Sequence, residues 1–270
     1  MSSADTSDGA PLQRSDAKGA RVKRSRETTR PSIFWPLAAL AVPLVGALAK
    51  ITFVNREKLP QQGAYVLAPN HYSEFDPLIV AVAVWRVGRA PRFMAKESLF
   101  RIPVLGASLR ATGMIPVMRQ STSASARQTL AASEGLVEHG RGVIVYPEGS
   151  LTRDPDLWPM RGKTGAVRLA LQGDIPLIPM AQWGSQRILP RYSKKLSFFP
   201  RKPVTVIFGD PVDLSDLRGR PGDQAALTEG TARLMAAITV LLEELRGETA
   251  PAERWNPAKH HQSETGHYEP

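Results

Sequence analysis

His71 and Asp76 are the pair able to move a proton. They lie in Asn70-His71-Tyr72-Ser73-Glu74-Phe75-Asp76-Pro77, between two apolar runs, Ala64 to Ala68 and Leu78 to Val87. The unperturbed imidazole pKa lies nearest neutrality among side chains, so the ring accepts a proton at cellular pH. A carboxylate on its other nitrogen fixes the tautomer and stabilises the imidazolium, the logic of a His-Asp dyad. On a regular helix five residues rotate a side chain by roughly 140°. The two therefore meet only if His71 is in the loop and Asp76 begins the helix. Asp suits an N-cap and Pro the first helical position. The same residues also fit a plain helix cap beside a polar loop, and H-x4-D alone is a common pattern.

The elements that must hold this pair follow from periodicity. Strands are expected at Ile51–Val54, Tyr65–Ala68, Arg92–Ala95, Ile115–Val117, Val143–Tyr146, Leu177–Gln182 and Val204–Phe208. Helices are expected at Leu78–Val87, Val104–Ala111, Ala124–Glu138, Thr164–Gln172 and Gln224–Leu245. Apolar strands alternating with helices predict an α/β fold, a mixed, largely parallel central sheet flanked by helices. In such sheets ligands bind where loops leave the carboxyl ends of the strands.

Three more stretches fall at such strand ends. Gly113-Met114-Ile115-Pro116-Val117-Met118-Arg119 is a strand closing on an arginine, and Val145-Tyr146-Pro147-Glu148-Gly149-Ser150 is a buried strand ending in Pro-Glu-Gly. In Ile175-Pro176-Leu177-Ile178-Pro179-Met180 two prolines lie in an apolar strand, which points to a sheet edge, a bulge or a strand end.

The chain has 270 residues and a formal net charge of +10, a balance that favours an anionic partner. It has no cysteine, which excludes disulfides, thiolate nucleophiles and Cys-based zinc sites. Residues 1–30 lack aromatics and end in Arg21, Lys23, Arg24, Arg26 and Arg30, so they read as a disordered basic arm. Residues 31–50 hold the longest uncharged run, Ile33 to Ala49, with Pro36 and Pro43 as expected kinks. Its length is at the lower edge of a bilayer span, and Ala47-Leu48-Ala49 also fits a signal-peptide site. A helix or helix pair lying in the headgroup region is the preferred reading, with the arm against anionic lipid. Residues 51–246 then form the catalytic domain. Residues 247–270 read as a polar tail in which Trp255 hints at docking.

The four motif blocks, in this order, resemble the glycerolipid acyltransferase family, of the 1-acylglycerol-3-phosphate acyltransferase type. Asn70, His71 and Asp76 match its first motif, Gly113 through Arg119 its second, Pro147 through Ser150 its third, and Ile175 through Met180 its fourth. The resemblance spans roughly Ile51 to Asp213. It implies transfer of an acyl group from a thioester, acyl-CoA or acyl-carrier protein, to the free hydroxyl of lysophosphatidic acid, making phosphatidic acid. His71 is then the general base and Asp76 its orienting partner, with no cofactor and no metal. Arg119 would bind the acceptor phosphate, supported by Arg153 or Lys163. Glu148, with Gly149 and Ser150, would position a hydroxyl or an arginine. The family usually has an arginine where this chain has Leu151, and Arg153 follows two positions later. There is no Gly-x-Ser-x-Gly elbow, so direct attack is expected rather than an acyl-enzyme. The oxyanion would take backbone N–H donors near Gly149 or at the helix start after Asp76.

A second basic cluster holds Arg187, Arg191, Lys194, Lys195, Arg201 and Lys202, interleaved with Leu196, Phe198 and Phe199. Such a mixture suits single-stranded nucleic acid, a coenzyme A phosphate or an anionic membrane. The apolar segment in the same chain favours membrane or donor, with no nucleic acid expected and the cytoplasmic face of the cell membrane as the location. His139 ends a helix, where the dipole welcomes it, and His260, His261 and His267 form no ligand set.

Overall fold

A computed structural model describes residues 26–29, 31–117 and 123–263. The strands are β1 Ala49–Val54, β2 Tyr65–Pro69, β3 Met94–Lys96, β4 Ile115–Val117, β5 Gly142–Ile144, β6 Leu177–Trp183 and β7 Lys202–Phe208. The helices are α1 Arg26–Thr29, α2 Phe34–Leu48, α3 Asp76–Val87, α4 Pro103–Ala111, α5 Ser123–His139, α6 Gly165–Gly173 and α7 Gln224–Arg246. Each strand and helix read from periodicity is thus present, with ends shifted by up to two residues.

Five strands make one sheet in the order β1-β7-β6-β2-β5. β6, β2 and β5 are parallel, β7 is antiparallel to β6, and β1 is parallel to β7. The parallel pair β3–β4 hangs on β5 through a bridge between Phe93 and Ile144. Trp183 at the end of β6 pairs with Thr205 near the start of β7, and Ala49 pairs with Lys202. The carboxyl ends of β2, β5 and β6 therefore share one edge of the sheet with the amino ends of β1 and β7.

Alternate residues of a strand point to opposite faces, and β2 divides its side chains accordingly. Tyr65 and Leu67 join a core with Val45 and Leu48 of α2 and Ile79, Ala83 and Val87 of α3. Val66 and Ala68 join the opposite core, with Leu136 of α5, Val167 and Ala170 of α6, and Leu234 and Ile238 of α7. The result is a mixed sheet between two helical layers.

Pro179 departs from its expected place, because β6 is a central strand. Proline lacks an N–H and so cannot serve an inner ladder. The pairing explains the exception. Pro179 pairs with Ala68 of β2, while on the other side β7 ends at Phe208 opposite Met180. The missing donor falls where that ladder stops, and the Pro179 carbonyl still accepts from Gly209 N at 2.9 Å.

The apolar N-terminal segment is one helix, α2, running through Pro43, rather than a pair. Residues 1–25 and Arg30 of the expected arm lie outside the described residues. Residues 26–29 are not a loose arm but a helical turn. Glu27 pairs with Arg92 at 2.5 Å and with the buried Arg89 at 3.4 Å, and the Thr28 hydroxyl donates to Gly88 O at 2.9 Å.

Candidate active site

Three loops leaving the shared edge of the sheet build the site: 70–75 after β2, 145–153 after β5 and 184–189 after β6. α3 begins at Asp76 with Pro77 in its first turn. Asp76 does not cap the helix, because the N-cap position is Phe75. Its carboxylate turns back into the loop. Oδ2 accepts from Tyr72 N at 2.7 Å, Ser73 N at 2.8 Å and His71 Nδ1 at 3.0 Å. Oδ1 accepts from Gln182 Nε2 at 2.6 Å and Ser185 Oγ at 2.5 Å. A carboxylate is acceptor-only, so the His71 proton sits on Nδ1. Nε2 is left as the basic nitrogen. The Asp76 side chain is fully buried while the imidazole stays 16% exposed.

The imidazole has a floor and a fixed backbone. Tyr146 stacks on it at 4.0 Å between centroids, and Phe93 stacks behind Tyr146 at 6.3 Å. His71 N donates to Glu148 Oε1 at 2.9 Å, and His71 O accepts from Thr152 N at 2.7 Å. The other Glu148 oxygen accepts from Met160 N at 3.0 Å. Glu148 is completely buried. It therefore braces two loops from within rather than facing a substrate hydroxyl, and the arginine within its electrostatic reach is Arg254. Burial pushes its carboxyl up to about 8, against the pull of the two backbone N–H groups.

Burial also raises the Tyr146 phenol well above its ordinary value, and among the described residues its buried hydroxyl has no hydrogen-bond partner. An unpaired buried hydroxyl costs about 1–3 kcal/mol. Tyr146→Phe is thus expected to keep the stack on His71 and to raise the melting temperature by roughly 2–4 °C per kcal/mol regained. Scanning calorimetry checks this, and a lower melting temperature would contradict the unpaired state.

Sequence reasoning missed the polar brace at the end of β6. The Asn70 side chain accepts from Gln182 N at 2.9 Å and donates to Gln182 O at 3.2 Å, locking β2 to β6. The Tyr72 hydroxyl donates toward Gln182 Oε1 and O, each at 3.0 Å, and accepts from Gly184 N at 3.1 Å. Gln182 is the one polar side chain in Leu177–Trp183 and is fully buried. A buried amide needs partners, and that signal was present in the sequence.

The expected phosphate ligands separate. Arg119 lies outside the described residues. Arg153 is buried, its guanidinium bonded to the Tyr192 hydroxyl and to Ser263 O, so it does not stand open to solvent. Leu151 is buried as well. Gly149 is exposed, with φ +73°, and the exposed Lys163 drapes over it, so that a Cβ on Gly149 would lie 3.1 Å from Lys163 Cδ. Ser150 is half-buried, its hydroxyl 3.4 Å from Leu151 O. Three of the N–H groups expected for an oxyanion are engaged: Gly149 N on Tyr146 O, Asp76 N on Ser73 O and Leu78 N on Phe75 O. Among the described residues no three His, Asp or Glu side chains gather as a metal site.

Residues 247–263, expected as a tail, pack back on these loops. Arg161 N donates to Trp255 O at 2.9 Å, and Trp255 stacks on His260. Arg254 comes within electrostatic reach of Glu148. Burial lowers its guanidinium pKa and the carboxylate opposes that.

The fold resembles the crystal structure of the 1-acyl-sn-glycerophosphate (LPA) acyltransferase PlsC from Thermotoga maritima, with a TM-score of 0.56, 20% identity and 80% of each chain covered. The 1-acyl-sn-glycerol-3-phosphate acyltransferase of Bacillus subtilis is 28% identical over 193 residues, 71% of this chain and 89% of its own. That of Streptococcus pneumoniae is 29% identical over 168 residues, 61% of this chain and 56% of its own. A family model described as Acyltransferase matches residues 50–183. The matched span opens one residue into β1 and closes on the last residue of β6. It takes in every residue named above as bonding to the His71–Asp76 pair except Ser185, and over that span the chain is similar to the acyltransferase family.

Proposed function

We propose that the protein transfers a fatty acyl group from a thioester donor, acyl-CoA or an acyl-carrier protein, to the free hydroxyl of 1-acylglycerol-3-phosphate. One observation carries the reading: an imidazole held by a buried, five-fold hydrogen-bonded carboxylate, with its basic nitrogen turned away from that carboxylate. A hydroxyl is a poor nucleophile, and a positioned base typically contributes about 10² to 10⁴ in rate. His71 Nε2 takes the hydroxyl proton as the oxygen attacks the thioester carbonyl. The tetrahedral intermediate collapses by breaking the C–S bond, and the thiolate leaves with the proton returned by the imidazolium. Asp76 stabilises the charged ring during the transfer. The chemistry asks for no cofactor or metal. Lys163, exposed over Gly149, is the cation assigned to the acceptor phosphate.

The same reading places the protein at a membrane. Ile33, the N-cap, and Leu37, Leu40 and Leu44 of α2 are exposed on one outer face, and the helix carries no charge. Fifteen residues rise about 22 Å, short of the ~30 Å hydrocarbon core. The opposite face of α2 is core, so a helix lying along the lipid surface fits better than a span. α7 is long and apolar enough to cross a membrane by length and composition. However, Leu227, Leu234, Ile238 and Leu242 are fully buried in the domain, which makes it a core helix.

A second reading, another lysolipid or glycolipid hydroxyl as acceptor, is favoured by Leu151 standing where the resemblance puts an arginine and by the burial of Arg153. The test is thiol release from palmitoyl-CoA with 1-acylglycerol-3-phosphate, glycerol-3-phosphate or a neutral lysolipid. Stimulation by the first alone supports the proposal, and stimulation only by the neutral lysolipid replaces it with the second reading.

A further inference from the structure

We propose that the loop carrying Phe198 and Phe199 is a second lipid-docking element, which holds the catalytic edge of the sheet against an anionic bilayer surface. The inference rests on the membrane reading of α2 and extends it. Phe198 is 66% and Phe199 90% exposed, a conformation that leaves two phenyl rings in water. From Gln186 to Lys202 the chain carries Arg187, Arg191, Lys194, Lys195, Arg201 and Lys202 and no acidic residue. Lys194, Lys195 and Arg201 are exposed beside the rings. Exposed aromatics flanked by cations match the two layers of an anionic membrane surface, acyl boundary and headgroups.

The loop is tied at both ends to places that matter. The Arg201 guanidinium donates to Ala49 O, at 3.1 Å from Nη2 and 3.3 Å from Nε, and Ala49 directly follows the last residue of α2. Phe199 is two residues away, so its Cα lies within about 7 Å of that of Arg201. At the other end, Leu189 O accepts from the Ser73 hydroxyl at 2.6 Å, and Tyr192 N donates to Glu74 Oε1 at 3.1 Å. The Arg191 guanidinium donates to Thr152 O and Asp154 O at 2.6 and 2.7 Å. One continuous path thus joins the apolar face of α2, the aromatic tip and both loops that hold His71. A surface gripped at α2 and at Phe198–Phe199 brings the cleft to where a lysolipid acceptor resides.

The test uses the full chain and vesicles of phosphatidylglycerol with phosphatidylcholine in roughly equal parts. Three proteins are compared by sedimentation: wild type, Phe198→Ala/Phe199→Ala and Leu40→Asp/Leu44→Asp. Activity is read with vesicle-borne 1-acylglycerol-3-phosphate and with a short-chain, monomeric analogue. The expected result is vesicle binding weakened about tenfold or more in each variant, since apolar area inserted at the interface sets affinity. Activity on the vesicle-borne acceptor should fall in parallel, while activity on the monomeric acceptor stays unchanged, which also shows the variants are folded. Unchanged binding of the Phe198/Phe199 variant, with the α2 variant released, overturns the proposal and leaves the membrane reading standing. Unchanged binding of both overturns both. A raised KM for an acyl-carrier-protein donor with vesicle binding intact would overturn it in favour of an acidic protein on this loop.

Discussion

Replacing His71 by alanine is expected to lower kcat/KM by about 10² to 10⁴, the usual worth of a positioned general base, and to leave the protein folded. The backbone bonds of residue 71, to Glu148 Oε1 and from Thr152 N, do not depend on its side chain, so alanine keeps the loop. Asp76→Asn should lose activity to a similar degree for a different reason. Asparagine can keep one oxygen toward Tyr72 N and Ser73 N and turn its amide toward Gln182 and Ser185, whose polar groups can reorient. The fold survives that exchange, but the imidazolium loses its counter-charge. Residues acting as one unit are strongly non-additive. The double variant His71→Ala/Asp76→Asn is therefore expected to be no slower than His71→Ala alone. Initial rates of thiol release by the four proteins make the check. Full activity of His71→Ala, or losses that multiply in the double variant, would remove the dyad from the mechanism.

The second large effect is at Glu148, and it is a matter of both pH and geometry. Its carboxyl is pushed up to about 8 in the fold from an ordinary value of 4.5, chiefly by burial. Between those values the folded chain holds a proton that the unfolded chain has released, so stability falls as pH rises through this window. Each pKa unit corresponds to about 1.4 kcal/mol, so the full contribution is on the order of 5 kcal/mol, present below about pH 4.5 and gone above about pH 8. Glu148→Gln cannot ionise and lacks this slope. It also turns an amide N–H₂ toward either His71 N or Met160 N, leaving one donor unpaired at about 1–3 kcal/mol. At pH 5 the variant is therefore expected to be the less stable protein, and near pH 8.5 the gap should close or invert. Urea denaturation at the two pH values measures it, and parallel curves would show that Glu148 does not titrate as described. Activity should drop roughly 10²-fold in the same variant, because a displacement of about 1 Å in the catalytic loop suffices for that.

Much of this architecture was legible in the chain. Short apolar runs announced the strands, most clearly β2, β5 and β6, which are buried on both faces, and the Asn70–Pro77 stretch announced the loop because its polar residues interrupt two apolar runs. What escaped was decided by tertiary pairing. The central place of β6 depends on β7 ending at Phe208, which no local pattern around Pro179 reveals. The burial of Glu148 escaped because Pro-Glu-Gly reads as an ordinary exposed turn, and only the arrival of residues 158–163 and 254–255 covers it. Arg153 looked like a ligand from its position beside the third motif, whereas Tyr192 and Ser263, distant in sequence, claim it. Gln182 was legible and overlooked, a lone amide in an apolar strand.

The docking of residues 250–263 across the third motif has a consequence for the order of events in biosynthesis. A chain emerging from the ribosome acquires His71, Asp76 and Glu148 long before Trp255 and Ser263 exist. Until those residues arrive, the loop through Arg161 lacks its Trp255 carbonyl and Arg153 lacks one of its acceptors. The catalytic loops are thus completed only by a stretch made well after the dyad, so a nascent chain halted at Gly247 would display His71 and Asp76 without the segment that holds Arg153 and Arg161.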